Sequence, residues 1–292
     1  MPLKINYKVL WLCSCMYFLL TSKVSICQTL DQTILKADSC LRKNNFVAAH
    51  KLYQRIYILH PGTFNEPLLI ENLAKCSEIL GQNDNAYSYY KQLRNRLTND
   101  SLYAFYVLKE YQNGLISKEY RELYDGLKDI DTSIFNNDDL THLKFYCGLI
   151  CIQINENYQA ISYFKQILPH LSYKDSSIMI RLINDYKKNG HINNNRIRNL
   201  SLLIPGLGQL ALKDYKNASN SFLLNTLLVS GLAITSVNYS LLESLLFWAA
   251  PLTHYYFGGA NSSRSLAINK QILSNNMYYN EFIRIFTSAD FK

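Results

Sequence analysis

Asn45-Phe46-Val47-Ala48-Ala49-His50-Lys51-Leu52-Tyr53-Gln54-Arg55-Ile56 carries the pattern that decides the fold. Ala49, Tyr53 and Ile56 are spaced by four and then three residues, which places them on one stripe of an α-helix. A small residue, an aromatic and an aliphatic in this order return as Ala86, Tyr90, Leu93 and as Ala160, Phe164, Ile167. Ala49 and Ala86 lie 37 residues apart, and Ala160 comes 74 residues later, twice that interval. A missing copy is therefore expected around residue 123, where Leu123, Leu127 and Ile130 are apolar at the matching places.

A first half-unit precedes each stripe. Twelve residues upstream of the small anchor stand Ala37, Ala74, Tyr111 and Gly148. Small residues there let two antiparallel helices approach closely, and the larger side chains fill the gap to the next pair. One such pair cannot bury its own face, so pairs stack. The motif of Phe46, Ala49, Tyr53, Ile56 and the closing Pro61 resembles the second helix of the tetratricopeptide repeat (TPR). That resemblance spans about residues 30–170. It implies an all-α, TPR-like helical solenoid over 28–171 whose groove receives a protein partner.

Ahead of the repeats, Lys4 and Lys8 introduce the apolar run Val9–Leu20. A basic start, a short greasy centre and a more polar tail describe a secretory signal over residues 1–27. Ser25 and Cys27 suit the −3 and −1 positions of a cleavage site. Lipidation at Cys27 and retention as an anchor are the alternatives, and each leaves the repeats outside the cytoplasm.

Behind the repeats, the Asn-rich stretch 172–198 reads as a polar linker to a membrane-embedded module over 199–260. That module has three apolar segments: 199–212, 221–237 and 241–259. The last two would reach about 25 and 28 Å as helices, close to the thickness of a hydrocarbon core. The turn Asn238-Tyr239-Ser240 joins them. Length favours two crossings, whereas the positive-inside tendency, applied to Lys213, Lys216, Arg264 and Lys270, favours three. Counting outward from Tyr239, Asn225 meets Thr253 and His254 at equal depth, so a hydrogen bond between the helices is expected there. Residues 261–292 read as an amphipathic helix lying on the membrane or on the repeats.

Pro205-Gly206-Leu207-Gly208-Gln209, with Asp214-Tyr215 and Asn225 after it, resembles the PGLGQ-type, TM2-like membrane module of small bacterial envelope proteins. Gly258, Gly259, Asn261 and Arg264 match its second half, while Ala211 and Lys213 depart from it. The resemblance implies an inner-membrane protein of the bacterial envelope whose repeats face the periplasm and whose C-terminal module contacts membrane lipid.

Composition narrows the function. Of 30 basic residues, Lys4, Lys8 and Lys23 belong to the signal, leaving 27 against 22 acidic ones. That excess is small and scattered, so no nucleic-acid footprint is expected. The seven cysteines form no CxxC pair, and Cys147 and Cys151 read as core residues. Sequence patterns for metalloprotease, serine-hydrolase and phosphate-loop chemistry are absent, and the six histidines are dispersed. His254 and Glu243, eleven residues apart on one segment, stand about 16 Å apart by helix rise and cannot share a proton. The expectation is a non-enzymatic envelope scaffold without a cofactor or metal. The alternative is an accessory factor in membrane-protein biogenesis or transport that acts through the PGLGQ module.

Overall fold

A computed structural model describes residues 30–62, 66–96 and 101–289. The signal at 1–27, with Cys27, lies outside them. Among the described residues the chain is all-helical, with no strand. It divides into two compact units, the first ending at Ser117 and the second beginning at Lys118.

The first unit holds α1 (Leu30–Arg42), α2 (Phe46–Leu59), α3 (Glu66–Ile79), α4 (Asn83–Arg96) and α5 (Ser101–Ile116). The expected stripe forms its core. Ala37 of α1 packs with Ala49, Tyr53 and Ile56 of α2 and with Leu73 and Cys76 of α3. One period later, Ala74 packs with Ala86, Tyr90 and Leu93, joined by Ile70 and by Tyr106 of α5. Each tyrosine fills the gap beside a small residue and sends its hydroxyl to a carboxylate of the preceding helix. Tyr53 donates to Asp38 at 2.5 Å and Tyr90 to Glu78 at 2.9 Å. Arg94 of α4 and Glu110 of α5 form a buried ion pair at 3.0 Å.

Among the described residues, four other than glycine have positive φ: Asn44, Lys118, Asn155 and Lys213. The first three, together with Gly81, occupy positions 44, 81, 118 and 155, each 37 residues after the last. A left-handed residue ends a helix because it turns the chain while the next amides bond back to its final carbonyls. Those bonds recur as well: Asn45 N to Cys40 O, Gln82 N to Ser77 O and Glu156 N to Cys151 O. Hence the turn between the two helices of a pair returns at the same interval as the buried stripe. The degenerate copy near 123 keeps the turn at Lys118 and the buried Leu123, but its helix is cut short at Gly126. Leu127 and Ile130 fall in and after a 3₁₀ turn and are half-buried.

The second unit starts with that short helix, α6 (Tyr120–Gly126). It continues through α7 (Asn137–Gln153), α8 (Asn157–Ile167), α9 (Tyr173–Asn189), α10 (Asn194–Leu203), α11 (Leu207–Ala211), α12 (Tyr215–Asn238) and α13 (Leu241–Thr287). Gly148 of α7 faces Phe164 of α8, as Ala37 stands opposite Tyr53. A Cβ on Gly148 would lie 2.6 Å from the Phe164 ring, so the close approach needs glycine.

Stretch 172–198 is helical rather than a linker. Ser172 caps α9 by accepting from Asp175 N at 3.2 Å, and Met179, Ile183 and Tyr186 bury one stripe. No boundary divides 260 from 261 either: α13 runs for 47 residues without interruption, with Pro251 inside it. Segment 199–212 is not one continuous helix. Pro205 and Gly206 separate the end of the ten-residue α10, which begins ahead of the segment at Asn194, from the five-residue α11, and each helix is far shorter than the roughly 20 residues a span requires. Among the described residues one helix, α12, is long and apolar enough to cross a membrane.

The C-terminal half of α13 lies on the α7–α9 helices. Phe282 stacks on Phe164 with ring centres 3.9 Å apart, and Phe286 on Phe145 at 3.7 Å. Asn275 donates to Ile152 O at 2.8 Å and to Asn155 Oδ1 at 3.0 Å, so it holds the left-handed turn of that pair. Gln271 donates to Gly190 O at 2.7 Å and accepts from Ile192 N at 2.5 Å. Tyr278 donates to Asp185 at 2.6 Å.

Candidate functional site

The PGLGQ element lies where α10, α11, α12 and α13 meet. Pro205 has no amide hydrogen to continue α10, and Gly206 turns the chain at φ +93. A Cβ on Gly206 would come within 2.4 Å of the Ala218 carbonyl oxygen. One on Gly208 would come equally near the Ile197 carbonyl oxygen. Both glycines therefore serve direct backbone contact. Ser201 accepts from Gly208 N at 3.0 Å and donates to Gln209 Oε1 at 3.0 Å. Gln209 Nε2 then donates to Gly259 O at 3.0 Å. This chain of buried bonds ties α10 and α11 to α13. Tyr256 and Lys270 of α13 add bonds to the Leu202 and Leu212 carbonyls.

From this base α12 and α13 run outward as a hairpin. Asp214 caps α12 by accepting from Asn217 N, and Ser240 caps α13 by accepting from Glu243 N. Gly259 leaves room for Ser221 near the base, and Gly231 for the Trp248 ring farther out. The shaft is apolar on its outside: Phe222, Leu227, Val229, Ile234, Leu242, Leu246 and Phe247 are all exposed. Three polar groups in the hairpin, Asn225 Oδ1, Ser244 Oγ and Trp248 Nε1, are buried without a hydrogen-bond partner.

The expected bond between Asn225 and Thr253 or His254 is not made. Asn225 Nδ2 donates to Ser221 O of its own helix at 2.7 Å, and Thr253 to Ala249 O at 2.8 Å. Thr253 and His254 are both exposed. The depth agrees with expectation, because Ser221–Gly259 and Gly231–Trp248 bracket Asn225 opposite residues 254–255. The helical face does not: Tyr255 and Gly258 line a pocket with Asn225, while Thr253 and His254 turn outward. Tyr215, Asn261 and Arg264 are exposed and take no part in the buried network.

All nine repeat anchors are buried: Ala49, Tyr53, Ile56, Ala86, Tyr90, Leu93, Ala160, Phe164 and Ile167. Cys147 and Cys151 are buried in the core of the second unit. Burial pushes the Cys151 thiol up to about 12, with the Glu156 charge adding to it, and raises Cys147 further still. Both stay protonated near neutral pH and make poor nucleophiles or metal ligands. Sequence reasoning missed Ser201, Gln271 and Asn275, whose amide or hydroxyl groups hold the junctions. Ser201 stands alone between leucines, and Gln271 and Asn275, though four residues apart on the buried stripe that runs from Ala267 to Phe282, are polar where an apolar residue marks a stripe.

No family model matches this chain, nor does any curated protein or solved structure at a significant level.

Proposed function

We propose that this protein is a membrane-anchored helical adaptor of the bacterial cell envelope: a TPR-like solenoid on the periplasmic side of the inner membrane, held there by a PGLGQ-type helical hairpin. It acts by binding a protein partner through its helix pairs and not by catalysis. The observation that carries this reading is α13. One unbroken helix begins in a hairpin clad in exposed apolar side chains and ends stacked on the core aromatics Phe164 and Phe145.

Supporting it, the buried stripe and the left-handed turns share one 37-residue interval, as stacked repeat units require. The length and hydropathy of α12 suit a bilayer. The base of the hairpin is polar, with Lys213, Asp214, Lys216 and Asn217 on one side and Asn261, Ser262 and Arg264 on the other. Such an arrangement suits an interface between lipid and water.

The test has two parts. Membranes containing the tagged full chain are washed with alkaline carbonate, and the protein is then crosslinked briefly, solubilised in mild detergent and purified with whatever accompanies it. Retention in the washed membranes, together with specific partners lost on deleting residues 30–170, is the expected result. Release by carbonate removes the membrane half of the reading. Partners kept by the C-terminal part alone transfer the function to the hairpin module.

A further inference from the structure

Beside Asn225, near the polar base of the hairpin, the two helices leave a pocket of about 250 Å³. Its polar lining includes Gln209, Asn217, Asn220, Ser221, Asn225, Tyr255 and Ser262, and no Asp, Glu, Lys, Arg or His lines it. Asn225 is 5% exposed, and its Oδ1 has no hydrogen-bond partner. The amide orientation is fixed, because Nδ2 donates to Ser221 O at 2.7 Å. Exchanging the two amide atoms would set an oxygen against that carbonyl oxygen. The orphan is therefore an acceptor, and a buried acceptor left unpaired is costly. Gly258 widens the space, since a Cβ there would meet nothing within 4 Å.

We propose that this pocket binds the headgroup of a phospholipid carrying hydrogen-bond donors, an ammonium or a hydroxyl, with Asn225 Oδ1 as its buried acceptor. The proposal rests on the membrane reading above. Position argues for a lipid: the pocket spans the passage from the polar residues Asn217 and Asn220 to the apolar shaft that starts at Phe222. Size agrees, because the volume equals about eight water-sized groups, the bulk of a phosphoethanolamine or phosphoglycerol. Chemistry selects the headgroup: the neutral lining offers acceptors to a donor but no carboxylate to a bare cation. Lys216, exposed one turn before Asn220 on the same stripe of α12, supplies a positive charge for the phosphate. A trimethylammonium headgroup has no donor and leaves Asn225 unsatisfied.

Native mass spectrometry of the full chain in mild detergent decides the matter. The protein is titrated with phosphatidylethanolamine, phosphatidylglycerol and phosphatidylcholine of identical acyl chains. At least one donor-bearing lipid is expected to bind about fivefold or more tightly than phosphatidylcholine, in line with one added hydrogen bond. A preference for the ethanolamine lipid alone assigns an ammonium, and one for the glycerol lipid alone a hydroxyl. Gly258→Leu fills the pocket from a position with room for its Cβ, and Asn225→Leu removes the acceptor. Either variant, with wild-type helicity by circular dichroism, is expected to bind all three lipids alike. Equal binding of the three lipids by the wild type overturns the proposal and means that a water satisfies Asn225, while the membrane reading stands. An unchanged preference in a folded variant also overturns it. A protein that takes up no lipid and does not partition into bilayers overturns both.

Discussion

Phe282→Ala is expected to undock the C-terminal end of α13. The side chain is fully buried, stacks on Phe164 at 3.9 Å with 8° between the rings, and meets the Tyr186 ring edge-on at 6.2 Å. Truncating a buried phenylalanine costs about 3–5 kcal/mol, and the aromatic pairing is part of that loss. Gln271 and Asn275 still hold the middle of the helix through their hydrogen bonds, so opening is expected from Tyr278 onward. A local loss of about 4 kcal/mol raises the population of the opened end by about a thousandfold. Hydrogen exchange monitored by mass spectrometry reads this directly. Amides of 278–287 and of the facing stretch of α8 should exchange far faster, whereas those of 30–96 keep their wild-type rates. Acceleration below about tenfold at 278–287, or acceleration spread evenly over both units, would refute the argument that these rings dock the helix.

Four further outcomes are expected. Gln209→Leu removes the bonds to Ser201 and to the Gly259 carbonyl and should cost about 2 kcal/mol in thermal melts of the detergent-solubilised protein; an unchanged midpoint would show the junction to be held by its glycines alone. Gly148→Ala sets a methyl 2.6 Å from the Phe164 ring, so an overpacking cost of about 1–3 kcal/mol should exceed the gain of up to about 1 kcal/mol in helix propensity; a stabilised variant would contradict the close approach. Lys118→Gly relieves a left-handed backbone at φ 64 and should stabilise by about 0.5–1 kcal/mol; urea unfolding that moves the other way would count against that turn. Burial holds His50, which contacts Ser77 Oγ at 3.1 Å, below its ordinary value of 6.5. The unfolded chain then takes up this proton more readily than the folded one, so the His50 contribution is complete above pH 6.5 and is lost as pH falls below it. Melting temperatures of the wild type should drop more steeply from pH 7 to 5.5 than those of His50→Gln, and parallel curves would refute the assignment.

Legibility in the sequence belongs to whatever repeats or alternates. Ala49, Tyr53 and Ile56 announce a buried stripe because helical geometry forces the spacing, and their counterparts 37 residues on remove the ambiguity of a single match. Lys118 keeps its turn without a sequence signal, since lysine, unlike the Asn44, Gly81 and Asn155 of the matching turns, has no preference for positive φ. Helix α9 escapes notice because Met179, Ile183 and Tyr186 are outnumbered by Asn, Lys and Asp on its other faces, so average polarity conceals the stripe. At the hairpin, counting residues from Tyr239 gives the depth of Asn225 but not its direction. Each residue turns a helix by 100°, and an error of one position therefore moves a partner to another face. Thr253 also has a nearer acceptor in its own helix, a habit of threonine that competes with bonds across an interface.

Helix α13 has a mechanical consequence. Its 47 residues make a rod of about 70 Å at 1.5 Å per residue. Anchored in lipid at one end, as proposed, and bolted by Phe282 and Phe286 at the other, such a rod is a lever. A 10° change in the tilt of the hairpin, the kind of adjustment a bilayer of altered thickness imposes, swings the far end through about 12 Å by that length. With no flexible tether between them to absorb the swing, the last helix pair moves with the rod, and bilayer thickness becomes a variable that any protein docked on that pair would feel.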